Sequence, residues 1–323
     1  MQTTARRVLI VFIGKIVAVC AGGSTAHYRP IAGVGLSRIE GSAMLKYPKN
    51  MAFSGHGLGF HWIKGVCLAS LSVTVITKNE AHNIGACLQS VMFADQIVVM
   101  DSGSTDDTVP IAKSLGAEVV VSVDWPGFGI QKNRALAVAS SEWVLSIDAD
   151  ERLTPELLSE IQATLKAPQF DVYSFPRLSS YCGQYMRHSG WYPDRVTRLF
   201  RRQCAKFSDD LVHEKLVTSS AVGQLSSPLL HKSFRDAESV IDKVNRYSTA
   251  GAQSLFTRGK KSSLSKALFR GLWAFIRTYF LRLGFLDGRL GLVLAISNAE
   301  GTYYRYLKLW LLHQSDGTVP PAQ

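Results

Sequence analysis

An α/β fold, with a mainly parallel central sheet flanked by helices and a helical C-terminal extension, is predicted by three features of the chain. Short apolar, β-branched runs alternate with segments of helical period from Leu71 onward. Polar clusters rich in carboxylates follow three of those runs directly. Beyond His231, helical character replaces strand character.

The elements can be placed in order. Leu71 to Ile76 reads as a strand, Ala81 to Val91 as a helix, Gln96 to Met100 as a second strand and Thr108 to Leu115 as a helix, with Ser104 and Asp107 at capping-box spacing. Glu118 to Val123 is a third strand, Ile130 to Ala139 a helix and Trp143 to Ile147 a fourth strand. Strands joined by helices imply parallel pairing with right-handed crossovers, and a ligand site beyond the strands' C-terminal ends. Thr154 before Pro155 opens a further helix to about Lys166, after which Asp171 to Ser179 and Val196 to Phe207 look strand-rich and antiparallel. Ala237 to Phe256 is helical, and a basic, aromatic stretch continues to about Leu312.

With 323 residues, 46% of them hydrophobic, the chain can bury one large core plus extensions. Three parts are expected: a weakly patterned extension over 1–70, a catalytic domain over 71–235 and a helical, basic-aromatic region over 236–323. Within the first, Val8 to Cys20 is apolar behind Arg6 and Arg7 and resembles a short anchor, interrupted by Gly14 and Lys15. Met51 offers an alternative start. Five widely spaced cysteines without a Cys-x-x-Cys pair argue against a disulfide framework and against a zinc cluster.

The formal charge of +11 suits nucleic acid, anionic lipid or a phosphorylated acceptor. Its distribution favours lipid over nucleic acid. Arg258, Lys260, Lys261, Lys266, Arg270, Arg277 and Arg282 are interleaved with Phe269, Trp273, Phe275, Tyr279, Phe280 and Phe285, the mixture an interfacial segment needs; an amphipathic helix covering the core is the plainer reading.

Three polar clusters should converge on one sheet edge: Thr77, Lys78, Asn79 and Glu80; Asp101 to Asp107; and Asp148, Ala149, Asp150 and Glu151. Helix N-termini at such an edge suit a nucleotide diphosphate. An apolar strand ending in three carboxylates calls for a cation among them, and oxygen ligands suit Mg²⁺ or Mn²⁺, although a solvated turn is the plainer alternative. Asp101, the first polar residue after its strand, can accept from a base N–H or a ribose hydroxyl. Lys132 and Arg134, at the start of a helix beside the same edge, can neutralise phosphate. A Gly-rich phosphate loop, Gly-x-Gly-x-x-Gly and Gly-x-x-x-x-Gly-Lys-Ser/Thr are all absent after the first strand, which disfavours a nucleotidyltransferase, a dehydrogenase and a P-loop NTPase.

Val73 to Glu80, Asp101 to Asp106, Lys132-Asn133-Arg134-Ala135 and Asp148-Ala149-Asp150-Glu151 resemble, in order and spacing, the signatures of family 2 glycosyltransferases. Trp191 to Arg195, Arg198 to Arg202, Val212-His213-Glu214, Asn245 to Ser248 and Gly284 to Gly288 resemble the subgroup that builds lipopolysaccharide cores with glucosyl or heptosyl units. The resemblance implies a GT-A fold, a nucleoside-diphosphate sugar donor (a UDP-sugar), inversion at the anomeric carbon and a lipid-linked saccharide acceptor. It places the enzyme peripherally on an anionic membrane surface, at the cytoplasmic face of a bacterial inner membrane.

Under that resemblance Thr77, Asn79, Glu80, Asp101, Lys132, Arg134 and Asp148 bind the nucleotide sugar, Asp150 and Asp148 hold a divalent metal, and His231 returns as a late metal ligand. Inversion by one displacement needs a base for the acceptor hydroxyl. Glu214 is the first candidate, although relatives carry Glu-Asp where this chain has His213-Glu214, and Asp194 is the second. Arg198, Arg201 and Arg202 suit either an acceptor phosphate or a solvated strand. The competing reading is an inactive, membrane-associated sugar-nucleotide scaffold, or a transferase for another envelope glycan.

Overall fold

The computed structural model describes residues 69–208 and 214–314, with the backbone of three short strands nearer the N-terminus. The chain divides into two compact units, Met1–His61 and Trp62–Gln323. In the first, Val8–Ile13 and Ile16–Ala21 pair antiparallel and His27–Tyr28 adds to the second of them. The first two of these strands fall on the apolar stretch expected as a short anchor. The rest of the extension, including Met51, lies outside the described residues.

In the second unit β1 (Leu71–Thr77), α1 (Ala81–Gln89), β2 (Gln96–Asp101), α2 (Thr108–Ser114), β3 (Glu118–Val121), α3 (Phe128–Val138) and β4 (Trp143–Asp148) follow one another. The four strands pair in parallel in the order β3-β2-β1-β4. Every residue of β1 is buried, as expected of a strand covered on both faces, and this is why its sequence reads as a nearly unbroken β-branched run. Val73, Val75, Leu145 and Ile147 pack on one face against Ile84 and Leu88 of α1, Ala112 of α2 and Leu157 of the later helix α4 (Pro155–Lys166). Ile76 and Met100 face the opposite side, against Ala135 of α3.

The helix boundaries follow their caps. Thr154 accepts from the Leu157 amide and Pro155 opens α4. At α2 the expected Ser104–Asp107 capping box does not form: Asp107 makes no side-chain cap, and Asp106 instead accepts from the Thr108 amide at 3.1 Å. Ser104 is drawn away by Asp101, which its hydroxyl and amide both reach.

Beyond β4 the sheet becomes mixed. The short β5 (Glu151–Leu153) follows β4, and β6 (Val172–Tyr181) and β8 (Asp194–Arg201) pair antiparallel, β8 also running antiparallel to β4. Two-residue strands β7 (Gln184–Tyr185), β9 (Lys206–Phe207) and β10 (Leu216–Val217), then β11 (Val222–Gln224) and β12 (Leu229–Phe234), complete the strands. The main sheet runs β3-β2-β1-β4-β8-β6-β12-β5, with β7 and β11 also on β6. Between Thr197 and Leu199 the β8–β6 register slips: these two residues face the adjacent partners Ser174 and Tyr173, leaving Arg198 as an extra, bulged residue.

Three helices close the chain: α5 (Ala237–Thr257), α6 (Leu264–Ile276) and α7 (Gly288–Gln314), with a π-helical turn at Arg277–Leu281 and a 3₁₀ turn at Gly284–Asp287 before α7. Val240 of α5 and Leu294 of α7 pack on Tyr181 and Met186, which fixes the helices to the sheet. Asp287 is buried and accepts from the Arg187 and His188 amides and, at 2.8 Å, from the Ser189 hydroxyl. That accounts for the Gly284-to-Gly288 motif as an anchor for the 187–189 turn. Gly271 brings α6 against α7, since a Cβ there would meet Tyr303 Cβ at 3.0 Å and the Ala299 carbonyl at 3.2 Å. Among the described residues, no helix is long and apolar enough to cross a membrane.

Candidate active site

The C-terminal ends of β1 and β4 open into a cleft of about 890 Å³, walled by Thr77, Asp148, Asp150, Arg177, His231 and, from α5, Lys243. All three polar clusters end on this one sheet edge, and the first and third of them line the cleft. Parallel register sets Ile76 beside Asp148 and Thr77 beside Asp101, so the turns that follow lie side by side.

Asp148 is the electrostatic centre. Its Oδ1 lies 3.0 Å from Lys132 Nζ and its Oδ2 2.7 Å from Arg198. Burial would raise its pKa, but the guanidinium of Arg198 and the ammonium of Lys132 outweigh burial and hold the carboxyl well below the usual carboxylate range. Lys132 is only 1% exposed and its second partner is Glu214 Oε1, at 2.7 Å. One buried ammonium thus joins the end of β4 to the residue at the far side of the site. The bulge in β8 is what aims Arg198 at Asp148 and, at 3.5 Å, at the fully buried Glu151. Glu151 also accepts the Asp148 amide at 2.9 Å and lies 3.4 Å from Arg177.

Asp150 is held differently. Antiparallel pairing of β12 with β5 sets His231 opposite Glu151, the Lys232 amide donates to the Asp150 carbonyl, and His231 Nε2 comes within 3.3 Å of Asp150 Oδ2. The other ring nitrogen sits 2.9 Å from Ser179 Oγ, which fixes the imidazole plane. A carboxylate oxygen and an imidazole nitrogen facing one cleft are a fitting pair for a divalent cation whose remaining ligands are diphosphate oxygens. Asp148 is the poorer donor, because both its oxygens already face cations. Among the described residues, no group of three or more His, Cys, Asp or Glu is gathered closely enough to hold a metal unaided.

The other candidates divide clearly. Thr77 Oγ1 is buried at the cleft without a hydrogen-bond partner, a group that a ligand would satisfy. Glu80 lines the cleft, and burial together with the Asp150 charge raises its pKa against the lowering bond from Asn83. Asn79, in the left-handed region at φ 55°, ties the first two clusters together: its side chain accepts from the Thr105 amide and its own amide donates to Ser104 Oγ, both at 2.8 Å. Asp101 spends its carboxylate inside its own turn, on the amides of Gly103 and Ser104 at 2.9 and 2.8 Å and on the Ser104 hydroxyl. Arg134 forms a two-pronged pair with the exposed Asp124, at 2.7 and 2.8 Å, away from the cleft lining. Asp194 is paired with Arg177 at 2.6 Å.

A second cavity, about 550 Å³, lies on the other side of Asp148 and is lined by Arg195, Arg198, Phe207, Glu214 and Lys215. Asp148, Arg177, Phe128 and Tyr247 border both spaces. Gly129 permits this closeness, because a Cβ there would collide with the Ser208 carbonyl and touch Glu214. His213, adjacent to Glu214, lies outside the described residues. Of the three arginines considered for an acceptor phosphate, Arg198 is buried on carboxylates, while Arg201 pairs with Glu142 and Asp171 and stacks on Trp143, 4.8 Å from the ring centre.

Sequence reasoning passed over Arg177 and Lys243, and it read Glu151 only as one of the three carboxylates ending its strand. Lys243 Nζ donates to the Ser233 carbonyl at 2.8 Å over the Phe234 ring, and burial pushes its pKa down against the pull of Asp150. With Arg246, which lies in the Asn245-to-Ser248 segment resembling the subgroup, it supplies the cleft cations from α5. Helical spacing alone does not separate Lys243 and Arg246 from a solvated face, so the resemblance marked the segment of Arg246 without giving it a place at the cleft.

Residues 72–223 match glycosyl transferase family 2. The chain is 33% identical over 255 residues to an uncharacterized glycosyltransferase of Rickettsia prowazekii, a match spanning 75% of this chain and 87% of that protein. It is 30% identical over 259 residues to the lipopolysaccharide core biosynthesis glycosyltransferase LpsC of Rhizobium meliloti, spanning 73% and 93%. The crystal structure of S. aureus TarS 1–349 in complex with UDP aligns over 76% of this chain and 92% of that one, at 17% identity and a TM-score of 0.42. The chain belongs to glycosyltransferase family 2, and it is a glycosyltransferase with the GT-A arrangement of a mixed sheet between helices and a helical C-terminal region.

Proposed function

We propose that this enzyme transfers a hexose, glucose or a close relative, from a UDP-sugar to a lipid-linked saccharide of lipopolysaccharide-core type, with inversion at the anomeric carbon. The observation that carries this reading is the cleft at the ends of β1 and β4, where the unpartnered Thr77 hydroxyl, the Asp150–His231 pair and the α5 cations face one space. The likeness to LpsC supports the acceptor class.

Each group then has work to do. Lys243 and Arg246 offset the diphosphate charge, and Thr77 and Glu80 face the nucleotide sugar. Asp150 and His231 suit Mg²⁺ or Mn²⁺, which when bound would stabilise the departing diphosphate. Asp148, neutralised by Lys132 and Arg198, shapes the floor between the two cavities. The acceptor occupies the second cavity, where Glu214 takes the proton of its hydroxyl as that oxygen bonds to the anomeric carbon and the bond to the diphosphate breaks. Asp194, bound to Arg177, positions that arginine between the two spaces. Asn79, Asp101 and Arg134 hold the turns that frame the donor.

The same reading places the protein peripherally on an anionic membrane surface, at the cytoplasmic face of the inner membrane. Leu268 and Phe269 on α6 and Phe280, Leu281, Phe285 and Leu286 after it are exposed, with Arg270 and Arg277 among them. Apolar side chains beside cations are what an interface of acyl chains and anionic headgroups accepts.

Calorimetric titration of the full chain with UDP, with and without Mn²⁺, tests the donor site. Metal-dependent binding that is lost in Asp150→Ala, with turnover falling about 1,000-fold, is the expected result. Equal binding and turnover in that variant would overturn the assignment of Asp150.

A further inference from the structure

Behind the donor cleft lies a third cavity of about 570 Å³, enclosed by α5, α6, α7 and the 189–191 turn. Five cations line it, Lys243, Arg270, Arg277, Arg282 and Arg305, and no aspartate or glutamate does. Among the described residues none of the four arginines has an ion-pair partner, unlike Arg177, Arg198 and Arg201 in the sheet. Unpaired guanidinium groups converging on a concave space in the absence of any carboxylate repel one another, and an anion relieves that repulsion.

Three of these side chains lie against glycines or a ring. Arg282 lies over Gly190 and Arg305 over Gly251: a Cβ at either glycine would come within 2.4 Å of Arg282 Nη1 or 2.6 Å of Arg305 Nε. Arg270 is held over the Tyr306 ring, 5.4 Å from its centre. Trp191, Trp273 and Tyr247 add flat apolar surface of the kind that packs against sugar rings or acyl stems.

The cavity also adjoins the chemistry. Phe234, Lys243 and Tyr247 border both it and the donor cleft, and Tyr247 borders the Glu214 cavity as well. We propose that this cavity is an anion subsite that holds a phosphate ester of the acceptor, from which the saccharide crosses the Phe234–Tyr247 wall to Glu214. The inference rests on the acceptor reading above. It adds that the acceptor is phosphorylated, either on its saccharide or through its lipid headgroup.

The test uses the full chain and three probes: glucose 1-phosphate titrated into UDP-saturated protein, glucose as the neutral control, and phosphatidylglycerol vesicles. The variant carries Arg282→Gln and Arg305→Gln, which leaves Arg270 and Arg277 of the membrane-facing surface in place. A control variant carries Arg258→Gln, Lys260→Gln and Lys261→Gln, which lie outside the cavity. UDP binding in every variant reports folding and the donor site separately. Loss of UDP binding by the parent chain would count against the donor reading, and the phosphate probe is then applied without UDP. The expected result is saturable binding of glucose 1-phosphate but not glucose, weakened about tenfold or more in the cavity variant and unchanged in the control. Weakened vesicle binding confined to the cavity variant would assign the phosphate to the lipid, and intact vesicle binding would assign it to the saccharide. No saturable phosphate or vesicle binding by the parent chain, or equal losses in both variants, overturns the subsite.

Discussion

Positive charge is handled in opposite ways in the sheet and in the C-terminal helices. Lys132 and Arg198 are buried and each lies within 3.0 Å of Asp148, whereas Arg270, Arg277, Arg282 and Arg305 line an open cavity with no carboxylate in its wall. A cation in the interior costs several kcal/mol to desolvate and persists only when paired, so the first set is a framework. Cations left in contact with water carry no such cost and stay free for a ligand. By formal charge residues 71–235 sum to −2 and residues 236–323 to +6, so the helical region is basic where the sheet region is not.

That contrast can be attacked directly. Lys132→Met removes the shared partner of Asp148 and Glu214 and should lower stability by about 3–5 kcal/mol, with activity lost, as seen by chemical denaturation. Retention of near-parental stability would show that the buried pairings are not the framework. Glu214→Gln keeps the shape, so the fold and UDP binding should persist while kcat drops about 100- to 10,000-fold; a normal kcat would move the base elsewhere. Asn133→Ala loses the paired bonds to the Phe207 carbonyl and amide, both 2.9 Å, and should cost about 1–3 kcal/mol by the same denaturation measurement. Phe269→Ser, on an exposed face of α6, should leave stability within about 0.5 kcal/mol while reducing sedimentation with anionic vesicles. Unchanged sedimentation would take the membrane surface away from α6.

The same difference explains what could be read from residues alone. The four parallel strands and their helices were legible to within a few positions because strand period, helix period and turn residues agree there, as at Thr154-Pro155. The end-of-strand carboxylates were legible as a group. Their separate fates were not, since Asp148 and Asp150 look alike in sequence and differ only in whether β8 or β12 comes to lie beside them. Lys132 and Arg134, two residues apart on α3, were both candidate phosphate partners, yet one turns inward to Asp148 and the other outward to Asp124. The capping box at Ser104 failed for a local reason, because Asp101 competes for the same hydroxyl. Helical contributions to the cleft, Lys243 and Arg246, depend on packing across more than a hundred residues of chain.

The extra residue in β8 has a further consequence. Strand alternation tolerates many changes of side chain but no change of count, and here the count is deliberately off by one against β6. Deleting Arg198, the one residue between Thr197 and Leu199, would restore ideal pairing and, in doing so, remove the guanidinium that pairs with Asp148. Local regularity and the ion pair at Asp148 are thus set against each other in this strand. Anyone transplanting the strand into another sheet must carry the irregularity along with the residues.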